Sequence, residues 1–360
     1  MERRQFVQTV AGVGAGLAGL PSWWTRGPTP GTGARHWTWV HGGGRASTDA
    51  WRRDFAGLRA AGIEGVLVSG GDLDQLAAAA HAEGLEFQRW IWVLNRSGDA
   101  RVKAEHPEWF SVSRKGDSSL VKPPYVGYYQ WVCPTRQPVR DYLRGVVAEI
   151  AAHPAVDGVH LDYIRHPDVI LPRGLWEKYH LVQDREYPEF DFCYCDACRA
   201  AFQASGGADP LTLPDPTADG PWREFRWNSV TGVVQTLSET VRAAGKAISA
   251  AVFPTPTIAR RLVRQAWDQW PLDRVFPMLY HRFYQEPIEW IGSAAREGVA
   301  ALDGRLPLHA GLYLPDLAPD DLARAIRQAR GAGAAGVSLF EMGGLTPEHL
   351  ARLKVELWRG

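Results

Sequence analysis

The sequence predicts a (β/α)8 barrel, the TIM barrel fold, and two observations carry that prediction. From residue 36 onward, short apolar runs alternate with longer amphipathic segments, and eight such pairs follow one another. The short runs are too continuously apolar for a sheet that is wet on one face, which is typical of buried parallel strands. A doubly wound open sheet is the alternative, but no GxGxxG motif follows the first run, which weakens a dinucleotide-binding version.

Each predicted element has a local signature. The strand candidates are residues 36–41, 63–70, 85–95, 156–165, 247–254, 273–283, 307–316 and 334–345. The helix candidates show apolar residues at a period of 3.6, at residues 49–62, 73–84, 138–154, 222–245, 257–270, 286–302, 319–333 and 346–357. A glycine of the kind that ends helices closes four of them, at Gly62, Gly84, Gly245 and Gly333. A proline stands at the start of three, at Pro138, Pro319 and Pro347.

The composition of the 360 residues excludes some classes of protein. Forty basic and forty acidic residues balance, so we expect no nucleic-acid partner, which would require a basic excess. No apolar run reaches the roughly 18 residues that span a bilayer. Sixteen tryptophans are present, and indole rings stack on the flat apolar faces of sugars while offering one N–H donor. The same residues also fill large cores, and both roles are open for any single tryptophan.

The first 34 residues have the pattern of an export signal. Arg3 and Arg4 precede Phe6 and a weakly apolar stretch rich in alanine and glycine, which resembles a twin-arginine signal. A segment rich in proline and glycine, residues 23–34, then serves as cleavage region and linker. We therefore expect a signal peptide and linker over residues 1–34, a barrel domain over residues 35–360, and a periplasmic or extracellular protein. A basic tail on a cytosolic protein is the alternative.

Two long insertions interrupt the barrel pattern, after the third and the fourth strand. The first, residues 104–134, ends in a segment rich in tyrosine and proline that suits either a ligand-stacking rim or a plain shield. The second runs from His166 to about Pro221 and contains a Cys-x-Cys-x2-Cys run. Because both rise from neighbouring strands on one face, we expect the four cysteines to converge, at Cys133, Cys193, Cys195 and Cys198. A structural Zn²⁺ site is favoured, with two disulfides or free thiols as alternatives.

The chemistry of a barrel lies at the carboxyl ends of its strands. The stretch VDGVHLDYIRHP places His160 and Asp162 on one face of the fourth strand, with Arg165 just beyond it. The other strand ends add polar and aromatic residues, namely His41, Asp72, Trp92, Asn95, Phe253, Tyr280, His281, Tyr313 and Glu341. Together these residues predict a carbohydrate-sized cleft that holds at least two carboxylates.

The chain contains, in this order, GVHLDYIRHP, FCYCDACRAAF, ISAAVFP, a W-x-x-W helix and PMLYH. This ordered set of segments resembles the glycosyl-hydrolase-like family-10 group of secreted TIM-barrel proteins. The resemblance implies a (β/α)8 fold, hydrolysis of glycosidic bonds and a catalytic role for Asp162. The cysteine run is also similar to the zinc site of family-42 β-galactosidases, with Cys133 in the upstream place. Those enzymes carry an Asn-Glu pair after strand four, where this chain has His160 and Asp162, so their acid/base assignment is not transferred.

The residues then take predicted roles. Glycosidic cleavage usually needs one protonated and one ionised carboxyl group, and we assign Asp162 and Glu341 to that pair, with Asp72 in reserve. A structural hydrogen bond for Asp162 and an arginine salt bridge for Glu341 are the alternatives. His160 either bonds Asp162 or fills a core layer, and Trp90 and Trp92 either stack on substrate or pack inward. We expect Arg165 either to lower the pKa of a neighbouring carboxyl group or to bind a substrate hydroxyl. We expect Tyr280 and His281 to contact the sugar.

The predicted partner is therefore a poly- or oligosaccharide, cleaved without an organic cofactor. A barrel that binds carbohydrate without cleaving it is the competing class, because fold alone does not decide activity. A zinc hydrolase is disfavoured, since the predicted site has four sulfurs and the sequence contains no HExxH motif.

Overall fold

A computed structural model describes residues 35–44 and 47–357. Eight parallel strands run through it: β1 (Trp37–His41), β2 (Gly65–Ser69), β3 (Glu86–Trp92), β4 (Gly158–Asp162), β5 (Ala247–Val252), β6 (Arg274–Pro277), β7 (His309–Tyr313) and β8 (Gly336–Phe340). Their order in the sheet is β6-β5-β4-β3-β2-β1-β8-β7. Strands β1 to β6 therefore lie side by side in chain order, β7 lies beside β8, and β8 lies beside β1.

The sheet closes between β6 and β7. Isolated parallel bridges join Val275 to Leu308 and Met278 to Gly311. The Leu279 N–H donates to the carbonyl of Gly311 at 2.9 Å. This closure confirms the predicted (β/α)8 barrel, and the open-sheet alternative is wrong.

Ten α-helices accompany the strands in the described residues: α1 (Thr48–Ala60), α2 (Leu73–Ala82), α3 (Ala100–Glu105), α4 (Gln137–Ala152), α5 (Asp196–Ala204), α6 (Gly220–Ala243), α7 (Pro256–Val263), α8 (Trp290–Leu302), α9 (Pro319–Gly331) and α10 (Pro347–Leu357). The four predicted terminating glycines all have positive φ, at Gly62, Gly84, Gly245 and Gly333. Pro319 and Pro347 are first residues of their helices. The local signals thus located most boundaries.

The helix predicted over residues 257–270 is shorter in the structure. Arg264 takes a left-handed conformation with φ 54° and ends α7 at Val263. The guanidinium of Arg264 is drawn to Glu186 of the second insertion. Trp267 and Trp270, which continue the apolar pattern, are buried around a 3-10 turn. The apolar period in the sequence therefore reflects the burial of Trp267 and Trp270 and not a continuation of the helix.

The molecule has two apolar regions that matter for the site. The larger lies between the strands and the surrounding helices. The smaller fills the inside of the barrel and contains Trp37, Trp39, Leu67, Trp90, Ala251 and Phe276. Several tryptophans are therefore barrel filling, which was one of the two roles that their number allowed.

The two insertions bond to each other above neighbouring strands. Ser113 pairs with Phe192 in an isolated bridge, and the Tyr194 N–H donates to the Val112 carbonyl at 2.8 Å. Gln183 donates from its amide to the Tyr125 hydroxyl at 2.9 Å. These contacts confirm that the insertions share one face of the barrel and make a joint wall there.

No helix in the described ranges is long and apolar enough to cross a membrane. The predicted twin-arginine signal and linker, residues 1–34, lie outside the described residues.

Candidate active site

A cavity of about 350 Å³ opens at the carboxyl-terminal face of the barrel. Its walls are formed by His41, Trp90, Trp92, Tyr128, Tyr129, Asp162, Tyr163, Arg165, Asp168, Leu171, Pro172, Leu175, Lys178, Tyr179, Phe253, Met278, Tyr280, Phe283, Tyr284, Tyr313 and Phe340. Twelve of these residues are Trp, Tyr or Phe, so the wall offers many flat apolar faces with polar edges. Of the predicted site residues, the structure brings together His41, Trp92, Asp162, Arg165, Tyr280 and Tyr313.

Asp162 is the last residue of β4 and stands in the cavity wall, partly exposed. Its Oδ2 accepts a hydrogen bond from the indole N–H of Trp90 at 3.0 Å. Its Oδ1 accepts one from the backbone N–H of Tyr163 at 2.6 Å. Tyr163 has φ 49°, a left-handed conformation that costs a tyrosine energy and is found most often at functional sites.

The surroundings of Asp162 favour its protonated form. Desolvation by the barrel and the aromatic wall raises the pKa of the carboxyl above its ordinary value. The hydrogen bonds from Tyr163 and Trp90, and the charge of Arg165, act in the opposite direction without cancelling that effect. A carboxyl group with a raised pKa beside a cavity is suited to act as a general acid.

Glu341 follows β8 and lies beside the cavity without lining it. Its Oε2 is 3.0 Å from Nε2 of His41, and the two side chains are 35% and 56% exposed. The His41 ring in turn packs on Trp90, with centroids 5.0 Å apart. The sequence alternative named an arginine as the salt-bridge partner of Glu341, but the partner is a histidine. Glu341 is connected to Asp162 only indirectly, because it contacts His41, His41 packs on Trp90, and Trp90 bonds Asp162.

The aromatic rings form two walls. One contains Tyr280, Tyr313 and Phe340, with Tyr280 and Tyr313 centroids 5.1 Å apart. The other contains Trp92 and Tyr163, whose centroids are 4.5 Å apart, and Tyr128 from the first insertion. Trp92 therefore lines the cavity and also packs against the rings that fill the barrel. Tyr128 is 45% exposed and lines the cavity, so the tyrosine-rich segment contributes to the cavity edge.

Arg165 is buried against four rings and still lines the cavity. Its guanidinium carbon lies 4.9 Å from the ring centroids of both Trp131 and Phe253. Its Nη1 donates to Oδ2 of Asp168 at 2.8 Å and to the carbonyl of His166 at 3.0 Å. Burial alone would lower the pKa of Arg165, but Asp168 and nearby phenols raise it above its ordinary value. Arg165 is therefore a fixed positive charge in the wall.

His160 belongs to the barrel filling and not to the cavity. It is fully buried, and its Nε2 accepts from the Trp39 indole at 3.3 Å. Because Nε2 is an acceptor, Nδ1 carries the proton and donates to Ser249 Oγ at 2.8 Å. The Ser249 hydroxyl donates to Gln88 Oε1 at 2.6 Å. Burial lowers the pKa of His160 to about 3, so the ring is neutral.

Three more predicted residues lie away from the cavity. The side chain of Asp72 caps α2 by accepting from the Gln75 N–H at 3.0 Å. Asn95 is buried beneath the first insertion, where its Oδ1 accepts from the Ser97 N–H at 3.1 Å. His281 is buried in a 3-10 turn, and desolvation lowers its pKa. Each follows a strand, yet none of the three side chains lines the cavity.

The sequence reasoning missed Asp168, Lys178 and Tyr179 from the second insertion, and Phe283 and Tyr284 after β6. Asp168 lies only six residues after Asp162, within the loop that leaves the carboxyl end of β4. Loops at this face carry function in barrels, so that position was a usable signal. No comparable local signal marked Lys178.

The four cysteines converge as predicted. Their Sγ atoms lie within 4.8 Å of one another, and all four side chains are buried. Cys133 Sγ is 3.3 Å from Cys198 Sγ and 3.6 Å from Cys195 Sγ, and none of the four cysteines forms a disulfide. The Val112 N–H points at Cys193 Sγ at 3.4 Å. A single cluster of four sulfurs fits one metal ion better than two separate disulfides.

Sequence comparisons give no family: no family model matches the chain, and no curated protein matches it. Solved structures match in fold. The glycoside hydrolase domain of PgaB (BpsB) from Bordetella bronchiseptica has a TM-score of 0.66 at 12% identity, covering 90% of this chain and 99% of that chain. The catalytic domain of β-amylase from Paenibacillus polymyxa has a TM-score of 0.61 at 11% identity, covering 90% and 98%.

A third neighbour is the β-galactosidase from Rahnella sp. R3, with a TM-score of 0.57 at 14% identity, covering 92% of this chain and 56% of that chain. At such identities the likeness establishes the fold. The resemblance to the family-10 group and to the family-42 zinc site stays a prediction. The chain therefore shares the (β/α)8 barrel architecture of these three neighbours.

Proposed function

We propose that the protein is a glycoside hydrolase acting on a poly- or oligosaccharide at the carboxyl-terminal face of its barrel. The observation that carries the proposal is Asp162, a carboxyl group with a raised pKa in the wall of an aromatic cavity. Aromatic walls stack on sugar rings, and a protonated carboxyl group is what a glycosidic oxygen needs to leave. The fold neighbours named as glycoside hydrolases support the same class.

In the proposed mechanism, Asp162 donates its proton to the glycosidic oxygen as the C–O bond breaks. The N–H groups of Trp90 and Tyr163 hold the carboxylate that remains, because both already point at its oxygens. Tyr280 and Tyr313 on one side, and Trp92 and Tyr128 on the other, provide stacking surfaces for the sugar rings. Glu341 is the second carboxylate predicted from the sequence.

The test is turnover. Purified protein is incubated with neutral, amino-sugar and uronic-acid polysaccharides, and both reducing-end release and binding are measured. We expect release from at least one class, and we expect Asp162→Asn to abolish release while binding remains. Tight binding by the wild type with no release from any glycan would favour the alternative, a non-catalytic carbohydrate-binding barrel.

We further propose that the four cysteines hold a structural Zn²⁺. Four thiolates would complete the tetrahedral shell of Zn²⁺ and leave no open position for substrate. The four sulfurs lie within 4.8 Å of one another, and none of the four cysteines lines the cavity. Cys133 ends the first insertion while Cys193, Cys195 and Cys198 belong to the second. A metal there would fasten both insertions and supply no catalytic chemistry.

A further inference from the structure

The cavity contains a second carboxylate that the sequence did not single out. Asp168 lines the same wall as Asp162, is 2% exposed, and is reached by the loop that leaves β4. Glu341, the predicted partner, lies outside the lining and is paired with His41. Position alone therefore favours Asp168 over Glu341 as the carboxylate nearest to a bound sugar.

The contacts of Asp168 suit an ionised group. Its Oδ2 forms an ion pair with Nη1 of Arg165 at 2.8 Å, and both side chains are less than one-tenth exposed. Burying an ion pair is costly, and a purely structural wall would be more stable with apolar residues. This pair instead faces a cavity, where a fixed negative charge has a use.

The phenols around Asp168 carry no charge at neutral pH. Tyr125, Tyr128 and Tyr129 of the first insertion and Tyr284 after β6 lie within electrostatic range of it. Burial raises the pKa of each phenol, so all four remain neutral. Lys178 lines the same cavity and is exposed. Arg165 is thus the charged group in direct contact with Asp168.

Asp162 and Asp168 therefore differ in a way that matches the two roles in glycosidic cleavage. Asp162 accepts from a neutral indole and a backbone N–H, whereas Asp168 is bonded directly to a guanidinium. Pairs of carboxyl groups whose environments favour opposite protonation states mark acid and anion in such sites. Both lie within the field of Arg165, but only Asp168 touches it.

We propose that Asp168 is the ionised carboxylate of the catalytic pair, with Asp162 as the protonated one, an inference that rests on the proposed glycosidase function. The glycosidic C–O bond breaks, its electron pair leaves with the oxygen, and that oxygen takes the proton of Asp162. The positive charge that develops at the anomeric carbon is balanced by Asp168. A water then bonds to that carbon through its oxygen and releases a proton, which restores the protonated state of Asp162.

The test uses the pH dependence of kcat/KM on the best polysaccharide from the turnover panel. We expect Asp168→Asn to lower kcat/KM by about 10²–10⁴-fold and to remove the acid limb of the profile, which reports the group that must be ionised. Asp184→Asn, at an exposed position on the same insertion, is the matched control and should leave the profile unchanged. Glu341→Gln should keep the acid limb.

Two results would overturn the assignment. The first is an acid limb that survives in Asp168→Asn, with the loss confined to KM, because a residue that merely positions Arg165 would give that pattern. The second is loss of the acid limb in Glu341→Gln, and this result does not depend on whether the Asp168 variant folds. An inactive wild type would instead refute the glycosidase function itself, so the two failures are distinguishable.

Discussion

The indole N–H of Trp90 donates a 3.0 Å hydrogen bond to Oδ2 of Asp162, across the interface of β3 and β4. This bond favours the carboxylate, while desolvation favours the acid, so Trp90 moderates the protonation state of the proposed acid. The relationship makes Trp90 more than a stacking surface. It also gives the first prediction.

Trp90→Phe should raise the pKa of Asp162 further, because the ring is kept and the donor is lost. A hydrogen bond to a charged group contributes about 1.5–3 kcal/mol, and ~1.4 kcal/mol corresponds to one pKa unit. We therefore expect the alkaline limb of kcat/KM to move upward by about one pH unit. Trp92→Phe is the matched control, since Trp92 lines the cavity but has no bond to Asp162, and its limb should not move. An unchanged limb in Trp90→Phe would contradict this view.

His160→Ala should destabilise the fold without altering the pH profile of activity. The change leaves the Trp39 N–H and one Ser249 bond without a partner inside the barrel and opens a cavity. We expect the free energy of unfolding to fall by about 2–4 kcal/mol, measured by urea unfolding. His81→Ala, at an exposed histidine, should cost less than about 1 kcal/mol. A shifted alkaline limb in His160→Ala would show that His160 acts on Asp162 after all.

The fold should lose stability as the pH falls below about 6.5. Burial lowers the pKa of His36 to about 4 and of His160, His166 and His309 to about 3. These rings stay neutral in the folded protein while the unfolded chain takes up protons, so the unfolded state gains up to about 1.4 kcal/mol per pH unit for each histidine. The raised pKa values of Asp162 and Asp316 oppose this trend, but fewer groups act in that direction than the lowered histidines.

Urea unfolding at pH 7.5, 6.5 and 5.5 measures this acid sensitivity. The window stays above the range in which ion-paired carboxylates titrate, so the histidines dominate the slope. His309→Gln removes one titrating ring and should flatten the dependence, which separates it from a general charge effect. A free energy of unfolding that is constant from pH 7.5 to 5.5 would refute the prediction.

Cys195→Ser should remove one bound zinc per chain and destabilise both insertions. The substitution leaves only three sulfur ligands for the metal. The two insertions would then be held together only by contacts such as the bridge between Ser113 and Phe192, and less firmly. Zinc content by atomic absorption and thermal unfolding are the measurements. Ser205→Ala, after the end of α5, is the control and should retain the metal. Wild-type protein purified without zinc yet equally stable would contradict a structural metal.

Arg3→Lys together with Arg4→Lys should block export if residues 1–34 act as a twin-arginine signal. The charge is kept, so a merely basic N-terminus would behave as before. Fractionation of cells expressing the chain, with the unchanged sequence as control, is the measurement. Equal export of both proteins would refute this prediction.

The barrel was predictable because its signals are local and repeated. Period-3.6 patterns, terminating glycines such as Gly62 and opening prolines such as Pro319 each mark one element, and eight repeats leave few topologies. The convergence of the cysteines was also predictable, since β3 and β4 had to be neighbours. The position of Asp162 in the cavity wall was predictable, because a carboxylate at a strand end rarely contributes to packing.

The remaining site could not be predicted, because it depends on side-chain direction and on long loops. Asp72 lies just after β2 and Asp162 is the last residue of β4, yet Asp72 caps a helix and Asp162 lines the cavity. Trp90 and Trp92 stand at alternate positions of β3, a spacing that is also typical of inward-packed core residues, yet both line the cavity. The contact of Asp168 with Arg165 arises within an insertion whose path has no periodic signal.

The joint wall made by the two insertions limits how the specificity of this barrel can change. Each insertion satisfies backbone groups of the other, as in the bond between the Tyr194 N–H and the Val112 carbonyl. If one insertion were replaced by a loop from another barrel, the buried backbone donors and acceptors of the other insertion would lose their hydrogen-bond partners. New specificities are therefore reached by exchanging both insertions as a unit, or by changing rings such as Tyr128 at their exposed rim, while Asp162 stays on its strand.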